Sequence, residues 1–325
     1  MSRTLWAWIR LLGGAAILGV LVWRVGSGPF LDGLRRLNVW SLAAAAGIAV
    51  ITTVCAAWRW SVVARGLGVS VPLGRAVAFY YRSQFLNTVL PGGVLGDVHR
   101  AIDHGRAVGD VGHSARAVAW ERTAGQAVQF ALALVVLLVL PSPVRSWVPV
   151  ALGAVVVAAL LAVLVWRFVP RDGPSRWSRT LRGAASDLRG GLLAPVAWPR
   201  IVTASLIVVA GHAATFVIAA RTAGVHASLG TMLPLAMLVL LAMSLPINIG
   251  GWGPREGVAA WAFGLAGLSA AAGVTTAVVY GVMVLVATLP GAFVLVIAGR
   301  RRRTPEPVPA RPVRATGVVV GSGRG

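Results

Sequence analysis

The sequence has no lysine, a single cysteine and only nine acidic residues among its 325 positions. The lone Cys55 excludes an internal disulfide and a cysteine-based metal cluster. The short signatures of zinc proteases, nucleophile-elbow hydrolases, Walker-type nucleotide sites and dinucleotide folds are also missing. We therefore expect neither a metal nor a cofactor.

Long apolar runs dominate what is present. The chain is 57% hydrophobic and 12% charged, with a mean hydropathy of +0.80. Several runs reach the ~20 residues that a helix needs to cross a bilayer. The sequence therefore predicts an all-α fold, a polytopic transmembrane helical bundle of about eight spans with re-entrant or broken helices. The predicted spans are 5–23, 39–58, 123–140, 147–169, 201–221, 231–247, 256–272 and 274–298.

All 30 basic residues are arginine, and the net charge is +21. In a soluble protein this charge would indicate nucleic acid. Here the arginines cluster between and after the apolar runs, above all in 167–200 and beyond 300, as in cytoplasmic loops that face an anionic leaflet. We predict a multi-pass plasma-membrane protein with cytoplasmic N- and C-termini and no nucleic-acid partner. The predicted outer loops hold only Arg24, Arg35, Arg36, Arg145 and Arg221.

Segment 76–98 lies between two arginine-rich stretches. A full crossing there would push one basic stretch outside. We therefore predict a re-entrant hairpin that enters and leaves from the cytoplasm, with Pro91, Gly92 and Gly93 at its tip. A second helical stretch is expected to start near Gly96.

The stretch 245–257 is broken by prolines and glycines and ends in the adjacent pair Arg255–Glu256. Broken backbone at membrane depth is tolerated only inside protein or beside a water-filled cavity, and charges there indicate a functional site. Arginine counting places this stretch near the cytoplasmic face, open to the same side as the hairpin. The helix-breaking residues are Pro246, Gly250, Gly251, Gly253 and Pro254.

Two further charged groups suggest a site. Asp97 and Arg100 are spaced i, i+3, so they share a helix face and either pair or bind a headgroup together; helix capping alone would also explain Asp97. Glu121 and Arg122 point about 100° apart on a helix and need other partners. For Glu121 the candidates are Arg100 or Arg255. For Arg122 they are Asp97 or a lipid phosphate, although Arg122 could instead snorkel to the interface.

The two broken segments share a plan, in which Leu-Pro is followed by glycines and then by charged residues that open a helix. Paired broken helices are typical of a transporter with a central site, although coincidence is the other interpretation. The predicted substrate-binding residues are Asn87, Asp97, Arg100, Glu121, Arg122, Arg255 and Glu256. The predicted structural residues are Pro91, Gly92, Gly93, Gly96, Pro246, Gly250, Gly251 and Gly253.

The sequence resembles the lysylphosphatidylglycerol synthase transmembrane, or flippase-like, family over roughly 5–298. The resemblance implies a flippase-like transmembrane domain over 1–298, before a basic tail, 299–325, that we expect to be disordered and cytoplasmic. The residues that carry it are Phe85, Asn87, Leu90, Pro91, Gly96, Asp97, Arg100, Glu121, Arg122, Leu245, Pro246, Gly250, Gly251, Trp252, Gly253, Arg255, Glu256 and Gly257.

The resemblance implies that, in the larger members of this family, a membrane region moves the aminoacylated phosphatidylglycerol that a soluble transferase domain makes. Aminoacylation is not expected of these 325 residues, which end in the tail. The leading hypothesis is a lipid flippase or transporter for an anionic, zwitterionic or polyprenyl-linked lipid, without an enzymatic activity. Two alternatives stay open. One is a membrane-embedded lipid-linked glycosyl transferase that uses Asp97 or Glu121 as base or metal ligand, and the other is a non-catalytic partner of a separate transferase or glycosyltransferase.

Overall fold

A computed structural model of the chain confirms the all-α class. It describes residues 16–90, 93–147, 149–150, 153, 157, 160–161, 164, 183–184, 186–245 and 252–303. Within these residues the backbone forms helices and turns, and no β-strand. The helices are α1 Ala16–Val25, α2 Gly28–Arg36, α3 Val39–Gly66, α4 Leu73–Val89, α5 Leu95–Val108, α6 Val111–Val139, α7 Trp198–Thr222, α8 Leu229–Met243, α9 Pro254–Leu265 and α10 Ala270–Arg303.

Four of these helices, α3, α6, α7 and α10, are long and apolar enough to cross a membrane. The described part of the first predicted span is α1, which turns by 93° into α2, so the predicted outer loop 24–38 is largely helical. Several predictions fall outside the described residues. They are most of the span 147–169, tail residues 304–325, and Pro91, Gly92, Pro246, Gly250 and Gly251.

Arginines mark one end of the bundle, which we call the arginine-rich end. α3 and α5 finish there and α4, α6 and α7 begin there. Asp187, shortly before α7, pairs with Arg116 and accepts a hydrogen bond from Trp120 near the start of α6, so α6 and α7 run in the same direction. The arginines in the helix turns at this end are Arg65, Arg75, Arg106, Arg116 and Arg200.

The first hairpin consists of α4 and α5, which pack against each other and open at the arginine-rich end. α5 has 14 residues, about 21 Å, which is too short for a hydrocarbon core of about 30 Å. Leu90 is extended and Gly93 has a φ of +61°, so the chain reverses between the two helices. The helical hairpin predicted at 76–98 is therefore present, with longer arms.

The second hairpin consists of α8 and α9 and corrects the sequence prediction for this part of the chain. We expected full crossings at 231–247 and 256–272, but α8 has 15 residues and α9 only 12, which is about 18 Å for α9. α8 follows the far end of α7, so this hairpin enters from the end opposite to the first one. The segment 245–257 therefore does not open to the same side as the first hairpin.

Each hairpin packs into its own apolar core. Trp60, Val63 and Ala76 belong to the core around α3, α4 and α6. Phe216, Phe263 and Tyr280 belong to the core around α7 to α10, where their rings stack edge-on or tilted. Burial of aromatic side chains in both cores fixes the two hairpins separately, and the space between their tips stays open.

Candidate functional site

A cavity of about 1040 Å³ lies between the two hairpin tips. The first hairpin contributes Asn87, Val94 and Asp97 to its wall, and the second contributes Trp252 and Arg255. Long helices close the remaining sides. A cavity of this size accommodates a small polar molecule or a lipid headgroup.

One stripe of α6 contacts both tips. Arg122, Gln126 and Gln129 follow the i, i+4, i+7 spacing of a single helix face, and all three line the cavity. Arg122 donates from Nε to Asp97 of the first hairpin at 2.8 Å. Gln126 accepts from Ser244, just after α8, at 3.1 Å. Since Gln126 lies near the middle of α6, the second tip meets α6 halfway along its length rather than at the arginine-rich end.

Glu121 is the centre of a buried charged cluster and is 0% exposed. Its Oε1 accepts from Arg59 Nε at 3.0 Å, from Arg59 Nη2 at 2.5 Å and from the Tyr80 hydroxyl at 2.9 Å. Its Oε2 accepts from Arg100 Nη2 at 3.0 Å. The predicted Glu121–Arg100 contact is therefore present, and the alternative with Arg255 is not.

Asp97 links this cluster to the cavity. Its carboxylate accepts from Ser83 at 2.9 Å, Asn87 at 3.0 Å, Arg100 at 2.9 Å and Arg122. The pairs expected from the sequence, Asp97 with Arg100 and Asp97 with Arg122, are both formed. The Asp97 side chain does not cap α5.

Asn87, rather than Asp97, accepts a hydrogen bond from a backbone N–H at the start of α5. Its Oδ1 accepts the N–H of Gly96 at 2.7 Å, while its amide nitrogen holds Asp97. One side chain therefore joins the end of α4 to the first turn of α5. The predicted residue Asn87 thus acts on the hairpin itself as well as facing the cavity.

Arg100 is enclosed and does not reach the cavity. Its guanidinium lies 4.7 Å from the Trp60 ring centroid and 4.3 Å from that of Tyr80, within cation–π range. Its Nε and Nη1 have no hydrogen-bond partner in the part of the chain that the structure describes. Arg100 thus anchors Asp97 and Glu121 and is not itself placed to contact a ligand.

The second tip holds the Arg255–Glu256 pair. Gly253 has a φ of +114°, which a residue with a side chain rarely adopts, and Pro254 occupies the first turn of α9. Glu256 accepts from the Gly253 N–H at 2.7 Å, and its other oxygen accepts from Arg255 Nε at 2.7 Å. The adjacent residues do pair here because Arg255 folds back over the start of the helix.

The Arg255 guanidinium is sandwiched by aromatic residues. It lies 4.8 Å from the Trp252 ring centroid and 5.8 Å from that of Tyr280. The Tyr280 hydroxyl is in turn 3.2 Å from Nδ1 of His212, which also lines the cavity. Glu256 is 0% exposed, so only Arg255 of the pair faces the cavity.

Comparison with family models gives a match to the lysylphosphatidylglycerol synthase TM region over residues 7–291. The chain belongs to this family. No curated protein and no solved structure matches it. The match covers both hairpins and the cavity.

Several members of the site were not predicted from the sequence. The predicted span 39–58 leaves Arg59 just outside it, but α3 continues to Gly66 and buries Arg59 against Glu121 and Ser205. The buried pair Arg82–Asp103, which joins α4 to α5, was also missed. A signal existed for Arg59, since an arginine next to an apolar run needs a partner.

No group of three or more metal-ligating side chains occurs in the described residues. The carboxylates around the cavity are occupied by arginines instead. Glu121 forms ion pairs with Arg59 and Arg100, and Asp97 forms ion pairs with Arg100 and Arg122. The arrangement therefore offers positive charge and amide groups to a ligand, rather than a cation site.

Gly96→Ala is expected to destabilise the protein by about 1–3 kcal/mol. A β-carbon on Gly96 would lie 2.0 Å from the Ser83 carbonyl oxygen, which is backbone and cannot move aside. The helices of the first hairpin would have to separate. Thermal unfolding of the purified protein in detergent measures the effect. Gly74→Ala, on the exposed start of α4 where nothing lies within 4 Å, is the matched control. Equal unfolding temperatures for the two variants would contradict the close packing.

Proposed function

We propose that this protein moves a membrane lipid between leaflets by lodging the phosphate-bearing headgroup in the cavity between the two hairpin tips. The observation that carries the proposal is the meeting of two oppositely inserted helical hairpins at one cavity, whose largely apolar wall carries arginine, asparagine and glutamine side chains. Such tips supply polar groups at membrane depth, where a headgroup otherwise finds none. Membership of the family is consistent with this role.

The balance of charge around the cavity supports a phosphate as the bound group. In the cluster around Glu121, three guanidinium groups pair with two carboxylates, and at the second tip Arg255 pairs with Glu256, so one positive charge is in excess. The Arg122 side chain is 41% exposed, and its position on the cavity wall directs that charge to the ligand. Arginine binds phosphate oxygens through its forked donors.

The carboxylates have a positioning role in this proposal. Asp97 holds Arg122, and Glu121 holds Arg59 and Arg100, so each oxygen already accepts from a cation. A glycosyl transferase would need one of them as base or metal ligand. We therefore favour transport over catalysis.

We also propose that the protein lies in the plasma membrane with its arginine-rich end facing the cytoplasm.

Reconstitution of the purified protein into proteoliposomes with fluorescent lipids tests the proposal. A membrane-impermeant quencher reaches only outer-leaflet lipid, so transport is expected to raise the quenched fraction above the half seen in protein-free liposomes. An unchanged leaflet distribution for every phospholipid and polyprenyl lipid tested would overturn the proposal.

Arg122→Gln is expected to lower this transport by at least about tenfold, because loss of the phosphate contact costs on the order of 1.5–3 kcal/mol. Asp97 keeps Arg100 as a partner, so the variant should still fold. The control is Arg106→Gln, which removes an exposed arginine from the last turn of α5, away from the cavity. Equal rates for Arg122→Gln and Arg106→Gln would exclude Arg122 from the headgroup path.

A further inference from the structure

The described wall of the cavity has no carboxylate free to accept a cation. Asp97 is the one acidic side chain on its described wall, and four side chains already donate to it. Glu121 and Glu256 lie behind the wall with 0% exposure. A positively charged headgroup entering here would lose its hydration without gaining an ion pair, which is costly.

The sequence limits where another acidic group could come from. Residues 91–92 and 246–251, which lie in the sequence between the described ends of each hairpin, contain no aspartate or glutamate. Among the other acidic residues, Asp172 and Glu306 lie outside the described residues. The rest are not on the described wall of the cavity: Asp32, Asp103, Asp110 and Asp187.

Aromatic faces are the other groups that bind ammonium ions, and here they are already taken. Arg255 lies against Trp252 and Tyr280, and Arg100 against Trp60 and Tyr80. An amine on a headgroup would compete with a buried arginine for these rings. The described wall of the cavity therefore offers a cationic group neither a free carboxylate nor an aromatic ring without an arginine against it.

Uncharged hydrogen-bonding groups are plentiful instead. Gln84, Gln126 and Gln129 line the cavity together with Asn87 and Thr88. Gln84 and Gln126 each accept one hydrogen bond through their carbonyl oxygen, from Thr53 and Ser244. Their amide nitrogens have no partner among the residues that the structure describes, so they are available to hydroxyl oxygens of a ligand.

Building on the proposed function, we infer that the substrate is a lipid phosphodiester whose headgroup bears hydroxyl groups and no positive charge. The single excess positive charge matches one phosphodiester, and the glutamine amides match glycerol, inositol or hexose hydroxyls. Lipids with an amino group on the headgroup, including aminoacylated phosphatidylglycerol, are excluded by the missing carboxylate. Specificity of this kind arises because the ammonium group of an amino lipid would enter the cavity without a carboxylate to pair with.

Transport of matched labelled lipids in proteoliposomes tests the inference. The arms are phosphatidylglycerol, phosphatidylinositol, a polyprenyl-phosphate hexose, phosphatidylethanolamine and lysylphosphatidylglycerol, all with the same label. At least one of the first three is expected to move at least about tenfold faster than the last two, since an unpaired buried charge costs more than 1.4 kcal/mol. The first three lipids distinguish whether the hydroxyl groups of the substrate belong to glycerol, inositol or a hexose.

The outcomes distinguish this inference from the proposed function. If lysylphosphatidylglycerol moves as fast as the hydroxylated lipids, the inference fails and transport stands. If no lipid moves, the proposed function fails and the inference fails with it. If one hydroxylated lipid moves and the amino lipids do not, both are supported.

A charge change in the wall gives a second, independent readout. Gln126→Glu places a carboxylate on the wall and removes its excess positive charge, so it is expected to raise the absolute rate of lysylphosphatidylglycerol transport at least about tenfold. Gln126→Met, a neutral side chain of similar length, removes the amide without adding charge and should not raise that rate. Gel filtration establishes that both variants fold. An unchanged rate of lysylphosphatidylglycerol transport in folded Gln126→Glu would overturn the inference.

Discussion

Glu121→Gln is expected to lower the free energy of unfolding by about 3–5 kcal/mol, because it removes one partner of a buried ion-pair network. Glu121 accepts from two guanidinium groups and one phenol and is 0% exposed. The glutamine keeps the shape of the side chain but not its charge. Asp97 is then the single carboxylate that balances Arg59, Arg100 and Arg122 in this cluster. Thermal unfolding in detergent, followed by tryptophan fluorescence, measures the loss.

Asp110→Asn is the control for Glu121→Gln. Asp110 caps α6 and pairs with His113, but its side chain is 49% exposed and asparagine caps a helix equally well, so this substitution should cost far less stability than Glu121→Gln. The double variant Arg59→Gln/Glu121→Gln restores the charge balance and should recover part of the loss. If Glu121→Gln and Asp110→Asn were equally stable, the network would not contribute to folding as argued here.

Arg255→Ala is expected to abolish lipid transport. Arg255 shapes the second tip by pairing with Glu256 at 2.7 Å and by stacking between Trp252 and Tyr280. Without it, the buried Glu256 carboxylate keeps only the Gly253 N–H as a partner among the described residues, and Trp252 and Tyr280 lose the guanidinium that they contact. Transport per folded molecule, compared with the unchanged protein, measures the effect.

Arg255→Lys separates charge from shape. Lysine keeps the positive charge but lacks the planar fork that reaches Glu256 while stacking on two rings, so only partial transport is expected. The double variant Arg255→Met/Glu256→Gln removes both charges and should recover folding without recovering transport. Full activity of Arg255→Ala would remove this motif from the mechanism.

The sequence predicted the local features of the site because they depend on short-range spacing. The break at 90–94, the i, i+3 pair Asp97–Arg100 and the divergence of Glu121 from Arg122 all follow from helix geometry. The sequence left two candidate partners for Glu121 and two for Arg122, and Arg100 and Asp97 are the ones observed. In a chain with nine acidic residues, few such pairings are possible.

The orientation of the second hairpin was not predictable in this way. Arginine counting treats each apolar run as a crossing, and 231–247 and 256–272 are apolar enough to qualify. Whether a run crosses or turns back depends on where its helix ends. That is decided by packing, as when α9 finishes at Leu265 and α10 starts at Ala270. The burial of Arg59 likewise depends on a partner 62 positions away.

Photo-crosslinking with phosphatidylglycerol that carries a reactive group on its headgroup tests the central claim most directly. We expect adducts within 93–98 of the first hairpin tip, at Trp252 of the second tip and at Gln126 of α6, because these residues line one cavity. We also expect Arg122→Gln to remove these adducts. Adducts confined to outward-facing residues such as Leu206 and Phe293, with none in the cavity, would contradict the claim.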